Sequence, residues 1–114
     1  MNIRLHRGNG LLMLAFPLIV LSSCSSAPEN NVPKTDTVMI FQMKFQPAEL
    51  TVHKGDTVVW INKDMVAHDV TQVPNGTWSS KVLAPGKSWK MSVGESDDYF
   101  CSIHVVMVGK LTVQ

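Results

Sequence analysis

The sequence predicts a small all-β domain, a Greek-key sandwich or barrel, and three observations carry that expectation. Short runs rich in β-branched and aromatic residues recur between Gly, Pro, Asn and Asp turn signals. Beyond the first 23 residues no segment holds a helical period. The chain has 114 residues, 45% of them hydrophobic, which fits one small globular domain and excludes a disordered chain. Charge narrows the function classes. Ten Lys+Arg against nine Asp+Glu, a formal net of +1, supply no basic face for nucleic acid. Two cysteines make one disulfide at most.

Residues 1–23 read as a processing signal outside the fold. Met1 to Gly10 carries Arg4, His6 and Arg7 and no acid, and Leu11 to Leu21 is an apolar run too short to span a bilayer of about 30 Å as a helix. A basic start, a short apolar middle and small residues describe a secretory signal peptide. The segment closes as Leu21-Ser22-Ser23-Cys24, which resembles the bacterial lipobox. That resemblance implies cleavage before Cys24, lipidation of Cys24, and a membrane anchor made of buried acyl chains. Ser25 stands where, in such signals, an Asp favours inner-membrane retention, so the expected location is the outer membrane facing the periplasm, or the cell surface. Cleavage removes Arg4 and Arg7 and leaves the mature chain slightly acidic. Residues 24–36 are polar, Pro-bearing and aperiodic, and are expected to form the lipidated N-terminus and a flexible tether.

The folded domain is expected over residues 37–114. Thr37–Met43 is the first strand. Glu49–His53 is the second, closed by the turn Lys54-Gly55-Asp56. Thr57–Asn62 follows, with Val58 and Trp60 on one face by period two. Val66–Val73 runs into the turn Pro74-Asn75-Gly76. Lys87–Val93 places Trp89, Met91 and Val93 on one face. Asp97–Cys101 and Val108–Val113 complete the set. So small a domain lies near the lower limit for a stable core, and a bound metal would help to hold it.

With Cys24 assigned to lipid, Cys101 has no disulfide partner. Its surroundings point to metal. Cys101-Ser102-Ile103-His104-Val105-Val106-Met107 puts a thiolate, an imidazole and a thioether in one loop between two strands, and His68 lies on an earlier loop. Two His, one Cys and a weak axial Met form the donor set of a blue-copper electron-transfer site. Taken singly each residue is weak evidence, because a lone His is commonly structural and Met is commonly core packing. The conjunction and spacing carry the reading.

The segment Thr57-Val58-Val59-Trp60-Ile61-Asn62 leading to His68, the ending Tyr99-Phe100-Cys101 to Val113, and the turns Gly55-Asp56-Thr57 and Leu83-Ala84-Pro85-Gly86 together resemble a cupredoxin of the plastocyanin/azurin group. The Cys-x-x-His-x-x-Met loop resembles the short, amicyanin-like form. The resemblance implies an eight-stranded Greek-key β-sandwich holding one copper ion that cycles between Cu(I) and Cu(II), with His68, Cys101, His104 and Met107 as ligands. It implies a one-electron carrier rather than an enzyme, acting as a monomer with redox protein partners. His104 would emerge through an apolar partner patch, for which Met65, Val66, Ala67, Pro85, Val105 and Val106 are the candidates. Asn62 and Asp69 are expected to support the ligands without touching the metal. Asp69 stands where the family often has Asn or Thr tying the two ligand loops together. A buried, ionised Asp69 would lower the reduction potential, and its backbone N–H is placed to donate to the Cys101 sulfur. Ile103 and Val105 replace prolines common in the short loop.

Other readings use some of the same residues. A copper carrier or sensor lipoprotein would share the ligands but release the metal. Zinc takes His and Cys, although structural zinc sites add a second Cys pair. A Cys-His hydrolase lacks an orienting third group and leaves the Met without a role.

Overall fold

The computed structural model describes residues 8–28 and 30–114. Eight strands form: β1 (Thr35–Phe41), β2 (Lys44–Gln46), β3 (Glu49–Val52), β4 (Thr57–Asn62), β5 (Thr71–Val73), β6 (Ser88–Ser92), β7 (Asp97–Phe100) and β8 (Val108–Val113). They make two four-stranded sheets, ordered β2-β1-β4-β6 and β3-β8-β7-β5. The architecture is therefore the sandwich rather than the barrel, with no helix among the described residues. Two parallel pairs, β1 with β4 and β3 with β8, stand among antiparallel neighbours.

Period-two alternation decides which side chains face inward. In β4, Val58, Trp60 and Asn62 are buried while Thr57, Val59 and Ile61 are not. Val38 and Ile40 from β1, Tyr99 from β7 and Leu111 from β8 meet them at 0% exposure. Each such aliphatic side chain contributes roughly 1.5–3 kcal/mol by leaving water. Trp89 and Met91 pack on this core and Val93 is buried within it, as the alternation in that run requires. Trp60 is the hub, with ring centroids 5.4 Å from Trp89 and 5.6 Å from Tyr99. Gly109, opposite Tyr99 across β7 and β8, permits the closest packing: a Cβ there would lie 2.2 Å from the Tyr99 ring.

Three departures from the expected strands have physical causes. The first strand starts at Thr35, because the Lys34 N–H donates to Asp56 Oδ1 at 2.8 Å and the Thr57 N–H donates to the Lys34 carbonyl at 2.8 Å. It stops at Phe41, where Gln42 and Met43 turn back with φ of 54° and 59° into β2. Two successive left-handed residues make a tight hairpin turn that normally selects Asn and Gly. Here the Asp64 carboxylate accepts both N–H groups, at 2.7 and 3.0 Å. The run Val66–Val73 is mostly loop, and only Thr71–Val73 pairs as β5. His68, Asp69 and Val70 are consecutively buried, which a half-buried strand with alternating faces does not allow.

The turns at Lys54-Gly55 and Pro74-Asn75 form as expected. Ala84-Pro85-Gly86-Lys87 closes with Lys87 N–H to the Ala84 carbonyl at 3.0 Å, Pro85 in second place and Gly86 at φ 82°. That is the residue order a type II turn demands. The described part of the expected signal peptide, residues 8–23, carries no regular structure, and no helix among the described residues is long and apolar enough to cross a membrane. Residues 1–7 of that segment lie outside the described residues.

Candidate metal centre

Two loops at one end of the sandwich build the site. The first follows β4 and carries His68; the second joins β7 to β8 and carries Cys101 and His104. Their donor atoms converge. Cys101 Sγ lies 3.7 Å from His68 Nδ1 and 3.8 Å from His104 Nδ1, and the two Nδ1 atoms lie 3.2 Å apart. These separations fit a single ion. Bonds of about 2.0 Å to nitrogen and 2.3 Å to sulfur, opened to a trigonal angle, leave N and S about 3.7 Å apart. Cys101 and His68 are fully buried and His104 is half-buried, so the site meets solvent through His104.

Each ligand candidate is oriented by fixed neighbours. The His68 strand-like segment forms a bridge to Leu83, with the His68 N–H on the Leu83 carbonyl at 3.1 Å and the Leu83 N–H on the His68 carbonyl at 2.7 Å. Asn62 Nδ2 donates to the carbonyls of Val66 and Leu83, both at 2.8 Å, and its Oδ1 accepts from the Asp64 N–H at 2.9 Å. Asn62 thus holds the loop without touching the donors. In the second loop the Cys101 N–H donates to the Met107 carbonyl at 3.0 Å and the Met107 N–H to the His104 carbonyl at 2.9 Å. Met107 is buried beside this closed loop.

Asp69 joins the two loops. Its backbone N–H donates to Cys101 Sγ at 3.5 Å, and its side chain accepts from the Ser102 backbone N–H at 2.5 Å and from the Ser102 hydroxyl. The carboxylate is buried at 6% exposure and turned toward the loop rather than to water. An acceptor with two lone-pair-rich oxygens can satisfy both Ser102 donors at once, which suits Asp at this position.

Asp64 was not among the residues the sequence singled out. Its Oδ2 lies 2.8 Å from His68 Nε2, so that nitrogen carries the proton and donates, and Nδ1 is left with a lone pair facing Cys101 Sγ; the tautomer is assigned from this bond. Burial pushes the Asp64 carboxyl upward, but the bonds from Met43 N–H, His68 and Gln42 N–H outweigh it and hold it below its ordinary range. A carboxylate four residues before a histidine in an irregular loop has no sequence signature, because the contact depends on how the loop folds back.

The apolar candidates lie on the two loops that carry His68 and His104 and on the turn before β6. Met65, Val66, Val105 and Val106 are exposed, Met65 by 90% and Val106 by 82%, while Ala67 is half-buried and Pro85 exposed. Ile103 and Met43 are exposed as well, and Met43 shares a small hollow with Val106 and Met107. Met43 arrives there through the hairpin turn that Asp64 holds. Both cysteines are free thiols, Cys24 exposed and Cys101 buried.

A two-sheet sandwich with two imidazoles and one thiol converging at one end defines a cupredoxin, a protein that binds one copper ion through His and Cys. The chain belongs to the plastocyanin/azurin family of copper binding proteins, whose sequence profile matches residues 34–114. It is similar to amicyanin of Paracoccus versutus, 28% identical over 103 residues that cover 84% of this chain and 78% of that protein. Amicyanin of Paracoccus denitrificans is 32% identical over 83 residues, 68% of this chain and 63% of that protein. Among solved structures, the Cu(I) form of a methionine-to-alanine variant of amicyanin matches with a TM-score of 0.64 at 31% identity, covering 70% of this chain and 82% of that one. A purple cupredoxin from Nitrosopumilus maritimus shares the fold, with a TM-score of 0.64 at 24% identity over 69% of this chain and 99% of that one.

Proposed function

We propose that this protein is a type I blue copper protein that carries single electrons between redox proteins. His68, Cys101 and His104 would hold the ion, and Met107 would add a weak thioether donor. The observation that carries the reading is the trigonal spacing of two Nδ1 atoms and one Sγ, at 3.7, 3.8 and 3.2 Å, inside a scaffold that fixes each of them. Bound copper supplies a one-electron couple between Cu(I) and Cu(II). The chain contributes rigidity: Asn62, Asp64 and Asp69 lock both loops, so little rearrangement accompanies a change of charge.

Electrons pass through His104, the one ligand candidate that reaches solvent, into a partner seated on the apolar patch of Met65, Val66, Ala67, Pro85, Val105 and Val106. A small apolar patch suits a redox encounter that buries little area and separates quickly. The protein works as a monomer. Cys24 is lipidated and anchors the chain to a membrane, at the outer membrane facing the periplasm or at the cell surface, with residues 25–34 as the tether, since Thr35 and Asp36 belong to β1.

A visible and EPR spectrum of the copper-loaded chain tests the site. An intense thiolate-to-copper band, absent in Cys101→Ser, is expected; a wild-type protein without it refutes the blue-copper reading. A reversible couple with tight metal retention separates the electron carrier from a copper-delivering protein. Val106→Asp is expected to slow electron exchange with the spectrum unchanged, and an unchanged rate removes the docking role. Growth with labelled palmitate is expected to label the chain through Cys24, and an unlabelled, freely soluble product removes the anchor.

A further inference from the structure

Inside the sandwich three indoles and one phenol form a continuous aromatic group that begins beside the metal centre. Tyr99 precedes Cys101 by two residues on β7, and both side chains are buried in the core. The Tyr99 ring centroid lies 5.6 Å from Trp60 and 6.0 Å from Trp78. Trp78 lies 6.1 Å from Trp60 and stacks on Trp89 at 6.0 Å. The four rings differ in what their polar hydrogens meet. Trp60 Nε1 and the Tyr99 hydroxyl are buried without a partner. Trp78 Nε1–H donates to Asp97 Oδ2 at 3.0 Å. The other Asp97 oxygen accepts from Gln72 Nε2 at 3.2 Å, and the Gln72 Oε1 accepts from the Thr77 N–H at 3.1 Å, so the carboxylate is held in place. Trp78 and Asp97 both line an open groove of about 330 Å³, together with Gly94 and Glu95, at the start of β7 and so away from Cys101.

Removing one electron from an indole makes its N–H strongly acidic. The radical is stabilised where a base already accepts that proton. Of the four rings Trp78 is the one bonded to a carboxylate, and it is also the one that opens on the groove.

We propose that Trp78 is a redox-active residue: a small radical oxidant in the groove takes one electron from the Trp78 indole, the Nε1 proton passes to Asp97, and the neutral indolyl radical is reduced by an electron arriving from the copper centre through Tyr99. In that return step Asp97 gives the proton back to Nε1. The oxidant has then gained one electron, copper has gone from Cu(I) to Cu(II), and the indole is restored. The sandwich thereby has a second electrical terminal, at the end opposite His104, through which a damaging radical is quenched without loss of a side chain. The refilling step rests on the copper assignment above; the first step does not.

The test oxidises the copper-loaded chain with photogenerated ruthenium(III) tris-bipyridine, using persulfate as the terminal acceptor. In the Cu(II) form, where copper cannot refill the hole, transient absorption is expected to show a long-lived neutral indolyl radical, and peptide mass spectrometry is expected to place the lasting oxidation on Trp78. In the Cu(I) form the radical is expected to decay as the thiolate-to-copper band grows, with Trp78 spared. Trp78→Phe is expected to lose the radical, and Asp97→Asn to replace it with a short-lived cation, both with the thiolate band of an intact fold. Equal radical yield in Trp78→Phe, or the same neutral radical in Asp97→Asn, overturns the proposal. Equal lifetimes in the two copper forms overturn the Tyr99 route. A wild-type protein with no thiolate band defeats the copper assignment, and the Trp78–Asp97 step is then decided by the radical spectra alone.

Discussion

Replacing Asp64 by Asn measures what one buried charge does to the metal. Asp64 Oδ2 lies 2.8 Å from His68 Nε2. One imidazole ring and one metal–nitrogen bond of about 2.0 Å then set the carboxylate roughly 6–7 Å from the ion. At an effective dielectric of about 20, a unit charge at that range favours the extra positive charge of Cu(II) by about 2.5 kcal/mol. Since one elementary charge corresponds to roughly 2.3 kcal/mol per 100 mV, removing the carboxylate raises the reduction potential by on the order of 100 mV. Screening by salt lowers this, but the side chain is only 12% exposed, so a rise of about 50–100 mV is expected at moderate ionic strength. Asn is chosen because its amide oxygen still accepts from His68, leaving the ring in place. The assay is cyclic voltammetry or a redox titration of the thiolate-to-copper band. Glu95→Gln, an exposed charge in the loop before β7, serves as the distant control and should leave the potential nearly unchanged. A potential that stays put or falls in Asp64→Asn, with the band intact, refutes the reasoning.

Other substitutions probe other parts of the fold. Gly109→Ala puts a Cβ 2.2 Å from a fully buried ring, so it should lower the melting midpoint by an overpacking cost of about 1–3 kcal/mol or more, read in thermal or urea unfolding. Asp69→Ala leaves the Ser102 N–H without its acceptor beside the thiolate; the copper band should broaden and copper loss to a chelator should accelerate, whereas unchanged retention would show that the loop closes without Asp69. Acid stability follows from two carboxylates held below their ordinary value of 3.8: Asp56 by the N–H groups of Lys34 and His53, and Asp64 by its net of bonds over burial. A depressed folded-state pKa stabilises fully above the unfolded value and less as pH falls through the folded one, so unfolding should set in below about pH 4. Asp56→Asn should flatten that acid limb, and a limb as steep as wild type would rule Asp56 out as its source.

Strands β3, β4, β6, β7 and β8 were legible because alternation and burial agree in them, as in Val58 and Trp60. The turn after β1 was not legible. Gln42 and Met43 carry none of the residues that favour left-handed backbone; the compensation comes from Asp64, more than 20 residues away. The same distance hid β2. Val66–Val73 looked like a strand because it is rich in β-branched residues, yet its middle is buried on consecutive positions to deliver His68. The site was legible where chemistry resides in side-chain type: His68, Cys101 and His104 converge as their identity suggested. The role of Asp69 was half legible, since the N–H to the sulfur follows from backbone position, while the carboxylate on Ser102 depends on loop packing. Asp64 was silent because one carboxylate accepts from the Gln42 N–H, the Met43 N–H and His68 at once, and no local pattern encodes three partners.

Strand β1 begins at the Asp56 clasp and ends at the hairpin that touches the His68 loop. Its seven residues therefore separate the domain's point of entry from its copper end by about 20 Å. With Cys24 acylated, the ten residues from Ser25 to Lys34 add a leash of at most about 35 Å. A lipid on Cys24 would thus hold the domain by the end away from His104, and the leash would let His104 sweep a shell some tens of ångströms deep. A partner confined to that same surface would then meet it at the high local concentration that a short linker creates. One clasp between a backbone N–H and a buried carboxylate thus fixes where the chain enters the domain, a strand's length from the metal ligands.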